Sequence, residues 1–263
     1  MAKKRKKAVE IVPENMKPIA TKKKKDEYVK VNFKHTTFTE TQKDFINKIL
    51  NNDVTFVYGP AGCSKTYSTC YTALQMLQER KIKQIIITKP IQESGEKLGF
   101  LPGSLEEKVL PYLESFYGNI EKIIEKEDLK KLIEAELLLA KPLAYLRGAT
   151  FDDCIMILDE AQNCDFRQLM LYLSRMGKNT KVIIAGDVEQ SDVDENIIAL
   201  PKFIEMVKNI KGISVHEFGR NDIVRNPLLI EITDRYSDWK KNNMVTPNKN
   251  GNGNGNGKYK FLK

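Results

Sequence analysis

The sequence predicts a doubly wound α/β fold around a mainly parallel, five-stranded sheet, and three observations carry the prediction. Five short runs, VTFVY (54–58), QIIIT (84–88), CIMIL (154–158), KVIIA (181–185) and ISVHEF (213–218), are rich in Val and Ile and apolar at consecutive positions. Strands that are apolar on both faces suit a parallel sheet buried between two layers of helices. Segments of helical periodicity alternate with them, at 66–80, 105–116, 127–140, 165–176 and 196–209, which is the alternation of a doubly wound fold. A Gly-rich turn, GPAGCSKT at 59–66, joins the first strand to the first of these helices. The stretch from 89 to 150 is long for one crossover and reads as a helical insertion or lid.

The chain of 263 residues is long enough for one sizeable core plus tails. Its net charge of +8 is unevenly placed. Residues 1–34 carry twelve Lys and Arg against four acids, and residues 240–263 carry six Lys and no acid. The remaining 25 basic and 31 acidic residues leave the middle at −6. An acidic core between basic arms follows, so the overall pI describes the arms. The organisation expected is a disordered basic arm over 1–34, one domain over 35–240, and a flexible Gly/Asn-rich tail over 241–263. The tail ends in KYKFLK (258–263), which reads equally as a docking peptide or a frayed end. No apolar run approaches membrane-span length, and no apolar segment follows MAKKRKK as a secretory signal requires. The four cysteines form no CxxC pair and there are only two histidines, so no zinc set is expected. Reduced thiols in a cytoplasmic compartment are the plain expectation.

The turn at 59–66 has the chemistry of a phosphate cradle. A strand delivers a loop whose backbone N–H groups point inward, and the following helix adds its positive end. Gly59, Pro60, Ala61, Gly62, Cys63 and Ser64 form the loop. Lys65 reaches the β- and γ-phosphates, and the Thr66 hydroxyl suits Mg²⁺. The usual Gly before the Lys is Ser64, which must accept a backbone conformation normally given to Gly. The CIMIL strand runs into DEAQN (159–163), setting two carboxylates at the sheet edge where ligands bind in such folds. Asp159 is the expected metal-shell residue and Glu160 the base for an attacking water. The KVIIA strand leads to GDVEQ, where Gln190 reads as a γ-phosphate or water sensor, or as part of a surface turn.

In order and spacing these segments resemble the PhoH family, ATPases whose core is similar to superfamily 1 helicases. The resemblance spans roughly 36–239 and rests on GPAGCSKT (59–66), TKPIQESGEKLGFLPGSLEEKVLPYL (88–113), PLAYLRGATFDDCIMILDEAQN (142–163), LSRMGKNTKVIIAGDVEQSDV (173–193) and NDIVRNPLL (221–229). It implies a RecA-like core with the KVIIA strand between the phosphate-loop strand and the DEAQ strand. It also implies ATP and Mg²⁺ as cofactors, RNA or single-stranded DNA as a partner, and no membrane. Gln42 stands where related proteins read the adenine edge, its alternative being a polar position on a helix face. Arg225 resembles a γ-phosphate arginine that acts from a neighbouring subunit, its alternative being an ion pair with Asp222. Arg147 matches the pattern and faces either the nucleotide or a bound strand. Two departures are Ser64 and Lys89, the latter where Arg is usual; Lys lacks the planar fork for bidentate phosphate contact. A single core cannot walk along a strand alone, so a homo-oligomer, a ring among its arrangements, is expected. The reading is a Mg-dependent ATPase acting with nucleic acid; the alternative is an ATP-binding switch or assembly module with little hydrolysis.

Overall fold

The structure is a computed structural model that describes residues 29–90, 116–187 and 199–224, with 228, 230–232, 234–235 and 238–239. Helix α1 (Glu40–Asn51) starts at Thr39, whose hydroxyl accepts from the Gln42 N–H while Gln42 Oε1 accepts from the Thr39 N–H. This reciprocal cap satisfies two helix-end donors. Strand β1 (Val54–Tyr58) then feeds the phosphate loop and helix α2 (Lys65–Gln78), and strand β2 (Gln84–Thr88) follows. After a helical turn at 116–121 come α3 (Lys126–Glu134) and β3 (Leu138–Ala140). Strand β4 (Cys154–Leu158), α4 (Phe166–Leu173), β5 (Lys181–Gly186), α5 (Ala199–Val207) and β6 (Ile213–Glu217) complete the described order.

The strands form one parallel sheet in the order β3-β2-β4-β5-β1-β6. The strand carrying DEAQ is therefore separated from the phosphate-loop strand by β5, as the resemblance implied. Alternate side chains divide between two apolar layers. Ile85, Ile87, Ile155, Ile157 and Ile183 pack with Phe45, Leu74 and Ala73 of α1 and α2. Phe56, Met156, Leu158 and Ile184 pack with Leu169, Tyr172 and Phe203 of α4 and α5. Both faces being covered is why β2, β4 and β5 are apolar at consecutive positions. Each fully buried aromatic such as Phe56 contributes about 2–3 kcal/mol of burial.

Among the described residues the sheet has six strands rather than five, and the additional one, β3, corrects the helix expected over 127–140. Helix α3 stops at Glu134, and Glu136 adopts a left-handed conformation at φ +58°. The Leu137 N–H then bonds back to Leu132 O at 2.9 Å. Beyond that turn, Leu138–Ala140 pairs with Ile85–Ile87 of β2. Helix-forming residues are overridden here because an unpaired sheet edge offers a backbone partner. The insertion is accordingly not wholly helical.

The inner end of the arm expected to be disordered over 1–34 is also corrected. Val31 is buried, the Asn32 N–H and Nδ2 both bond Asp128 Oδ2, and Phe33 bridges Ile124. Residues 29–34 thus strap the insertion to the core. Residues 1–28, the tail and KYKFLK lie outside the described residues, as does most of the helix expected over 105–116. Among the described residues, no helix is long and apolar enough to cross a membrane.

Candidate functional site

All six strands end at one edge, and the loops leaving it build the site. Gly59 leaves β1 at φ +150°, and a Cβ there would lie 2.5 Å from the Phe218 carbonyl oxygen. Only glycine permits that approach. Ser64 caps α2 in the left-handed region, φ 66° and ψ 26°, and its side chain makes no cap bond. Serine thus takes the conformation of the glycine it stands in for, at a cost of about 1–2 kcal/mol. Lys65 Nζ lies back across the loop and donates to Gly59 O at 2.6 Å and Pro60 O at 2.9 Å. The Cys63 thiol is buried and donates to Pro60 O; burial raises it although Lys65 pulls the other way.

Thr66 Oγ1 donates to Asp159 Oδ2 at 3.1 Å, joining the loop to the end of β4. Asp159 is 8% exposed. Burial, with the charge of Glu160 adding to it, pushes its carboxyl up to about 6, while Lys89 and Thr66 pull it back. A hydroxyl and a carboxylate in contact are hard oxygen ligands that fit Mg²⁺, which takes few protein ligands and completes its shell with phosphates and water. Among the described residues, no cluster of three or more His, Cys, Asp or Glu side chains is placed to hold a metal alone. An ion here would complete its shell with phosphate oxygens or water.

Glu160 turns off the strand in a left-handed conformation at φ 56°. Its Oε2 accepts from Gln162 Nε2 at 2.7 Å, and Lys89 Nζ lies 3.8 Å from Oε1. Lys89 also lies 6.0 Å from the centroid of the Phe116 ring. It serves as a point charge beside the carboxylate. Gln162 is 3% exposed, and its Oε1 accepts from the Asp187 N–H at 2.9 Å. One buried amide therefore links Glu160 to the end of β5. Gly186 makes room for it: a Cβ there would meet Leu200 Cδ2 at 2.6 Å and Gln162 Oε1 at 3.1 Å. Sequence pattern did not single out Gln162, although it is the fourth residue of the quoted DEAQ.

These groups open on a cleft of about 770 Å³. Loop residues Ala61, Gly62, Ser64, Lys65 and Thr66 line it, with Asp159 and Glu160. Its other end is walled by residues 35–39 and Gln42. Gln42 is 5% exposed and its carbonyl oxygen is engaged in the α1 cap, so it is a buried cleft residue rather than a polar position on an open helix face. Phe38 and Tyr67 line the same end; Thr36 Oγ1 and Tyr67 OH are 2.9 Å apart, and Phe38 packs edge-on against Tyr71 at 4.7 Å. The sequence held no periodic signal for this wall, because residues 33–38 form no helix or strand. The insertion adds Asn119 and Lys122. Arg147 is exposed and does not line the cleft.

Gln190 and Arg225 lie outside the described residues. Their neighbours mark where the chain departs: Asp187 and Val224 line the cleft, and the Val224 N–H bonds Gly62 O at 3.0 Å. Asp222, the alternative partner of Arg225, accepts from the Gly219 N–H at 2.8 Å.

The whole edge suits a polyphosphate with a divalent ion, and this defines the class: a parallel α/β core with a phosphate-binding loop. A family model described as PhoH-like protein matches residues 35–237, and the chain belongs to that family. It is 42% identical over 201 residues to a PhoH-like protein of Bacillus subtilis, covering 75% of this chain and 62% of that one. Protein PhoH of Escherichia coli is 32% identical over 201 residues, covering 75% and 57%. The chain spans less than two thirds of the length of these relatives. By structure it is similar to Pif1 helicase from Candida albicans, with a TM-score of 0.41 at 13% identity, covering 77% of this chain and 44% of that one. The N-terminal domain of the DNA packaging ATPase from bacteriophage phi29 has a TM-score of 0.40 at 12% identity, covering 69% and 96%. Both structural likenesses are distant.

Proposed function

We propose that the chain binds ATP with Mg²⁺ and hydrolyses it, acting on or with RNA or single-stranded DNA. The observation that carries the proposal is the Thr66–Asp159 contact of 3.1 Å, which brings the phosphate loop and the acidic strand end to one point beside Glu160. The loop N–H groups and Lys65 bind the phosphates. Thr66 and Asp159 would hold the ion, which neutralises charge on the β- and γ-phosphate oxygens. Glu160 orients a water and takes its proton as the water oxygen attacks the γ-phosphorus and ADP leaves. Its hydrogen bond from Gln162 sets the direction of the carboxylate. Gln42, Phe38 and Tyr67 form the end of the cleft that suits the base, and Gln190 is assigned the γ-phosphate or attacking water.

Turnover of ATP by wild type, Lys65→Ala and Glu160→Gln tests the proposal. The expected outcome is a loss of about 10²-fold or more in each variant; equal rates in all three sink it. Ser64 favours a second reading, an ATP-binding switch with little hydrolysis, because its strained conformation lies within the loop itself. Tight binding with one turnover and no more distinguishes that reading.

The proposal extends to a cytoplasmic homo-oligomer, a ring among its arrangements, in which Arg225 completes a neighbour's site. The four cysteines, all free thiols, suit that compartment. Light scattering that finds only monomer with ATP and Mg²⁺ present would overturn the oligomer.

A further inference from the structure

We infer that the segment 141–150, KPLAYLRGAT, is a docking site for single-stranded nucleic acid, with Tyr145 as a base-stacking platform and Arg147 as a phosphate contact. The inference rests on the nucleic-acid part of the proposed function and adds the place where the strand lies.

Four observations carry it. The segment holds two cations and no acid, within a middle region whose net charge is −6. Tyr145 is 50% exposed, and Arg147, Gly148 and Thr150 are exposed beside it. A lone exposed tyrosine is ordinary; an exposed aromatic among cations and a hydroxyl, with no carboxylate, is the composition that binds bases and phosphates together.

The exposed groups are also held from below. Leu143 and Leu146 are buried on either side of Tyr145 and pin the short 3-10 turn Leu143–Leu146. Arg175 grips the end of the segment, donating from Nη1 to Ala149 O at 3.0 Å and from Nε to Leu171 O at 3.2 Å. A ring on a fixed backbone stacks at little cost in ordering. Gly148 adds access: it sits at φ +78°, and a Cβ there would meet nothing within 4 Å. Backbone and phosphate can therefore approach closely.

Position supplies the link to the nucleotide cleft. The Lys141 N–H bonds Ile87 O at 2.9 Å, and the Asp159 N–H bonds Thr88 O at 3.0 Å. The segment and the catalytic carboxylates thus hang from consecutive carbonyls at the end of β2. Two strand spacings separate β3 from β4, about 10 Å. Arg147 does not line the cleft, so its guanidinium remains for a second ligand.

The test uses the full chain and labelled single-stranded oligo-dT and oligo-U, followed by fluorescence anisotropy at two salt concentrations without nucleotide. Tyr145→Ala is expected to weaken binding about tenfold, with Tyr145→Phe close to wild type. Arg147→Gln is expected to weaken binding and lower the slope of log K against log salt by about one. Lys130→Gln, which removes an exposed cation of α3 outside the segment, leaves both unchanged. Weakening on either oligomer supports the site, and the more affected oligomer identifies the preferred sugar. Thermal midpoints report folding, and Arg147→Gln carries the test should Tyr145→Ala unfold. Wild-type binding that all variants share overturns the site while leaving the proposed function standing; a protein partner is then the better occupant. Failure of the wild type to bind either oligomer overturns the inference and the nucleic-acid part of the proposed function together, and leaves ATP hydrolysis untouched.

Discussion

Asp159 shows how far the site departs from a stable arrangement. Burial and the neighbouring Glu160 raise its carboxyl to about 6, against 3.8 for the free group. A group raised in the folded state adds stability below its unfolded value, and that stability is lost as pH rises through the folded value. Above about pH 6 the buried charge therefore costs the fold roughly 3 kcal/mol. Asp159→Asn should raise the unfolding free energy at pH 7–8 by a few kcal/mol at most, while abolishing Mg²⁺-dependent turnover; denaturant melts beside an ATPase assay check both. In the wild type, affinity for Mg²⁺ with ATP should fall about tenfold per pH unit below 6, as the carboxylate protonates. Calorimetric titrations across pH 5–8 measure it. Gln162→Ala removes the amide that orients Glu160, and its expected effect is a drop of about tenfold or more in kcat with KM little changed. A fold defect would lower the apparent kcat in the same way by removing active enzyme, so thermal melts and the single-turnover amplitude, which count the folded and competent fraction, separate the two outcomes. Lys65, Thr66, Asp159 and Glu160 were legible in the sequence because strand, loop and helix run consecutively around them. The task of Gln162 was not, because it depends on the approach of Gly186 from a distant strand.

At the scale of elements, periodicity located the five long strands and mistook the sixth. ELLLA at 136–140 suits a helix by local preference. The sheet edge decides otherwise, and the decision passes through one residue, Glu136, at φ +58°. A glycine at that position loses the left-handed strain of the helix end. Glu136→Gly should therefore stabilise the protein by about 1 kcal/mol, raising the thermal midpoint by roughly 2–4 °C in a domain of this size. Differential scanning calorimetry reads the change directly, and a lower midpoint would show that the side chain offsets its strain elsewhere. The aromatic end of the cleft was illegible for a different reason. Phe38 comes from an irregular segment and Tyr67 from a helix, and tertiary packing, with Phe38 against both Tyr67 and Tyr71, brings their rings together.

Over the whole molecule, charge was read correctly in amount and partly misplaced in structure. Residues 29–34 belong to the fold although they follow the lysine clusters. Their principal tie is Asp128, which accepts two bonds from Asn32 and one from Lys131 at 2.8 Å. Lys131 first, and then Asn32, hold its carboxyl below the usual range. A depressed carboxyl contributes stability above its unfolded value, and that stability is lost as pH falls through the folded one. Asp128→Asn should lower the thermal midpoint by a few degrees at pH 7, with the difference from wild type closing in acid below about pH 4. Melting curves across that range test whether the strap holds the insertion in place.

The place of β1, one strand in from the β6 edge of the sheet, has a consequence for how the protein comes into being. Thr55 of that strand meets Ser214, its neighbour across β6, 159 positions later in the chain. On its other side β1 pairs with β5, at residues 181–186. As the polypeptide leaves the ribosome, the phosphate loop is made early but has no sheet to hang from until β5 and β6 emerge. Pairings so distant in sequence form slowly, after the cost of closing long loops has been met. Nascent chains halted before β6 should therefore be unable to retain ATP. The nucleotide would then act late in biogenesis, as the ligand that draws the last assembled edge of the sheet into its finished state.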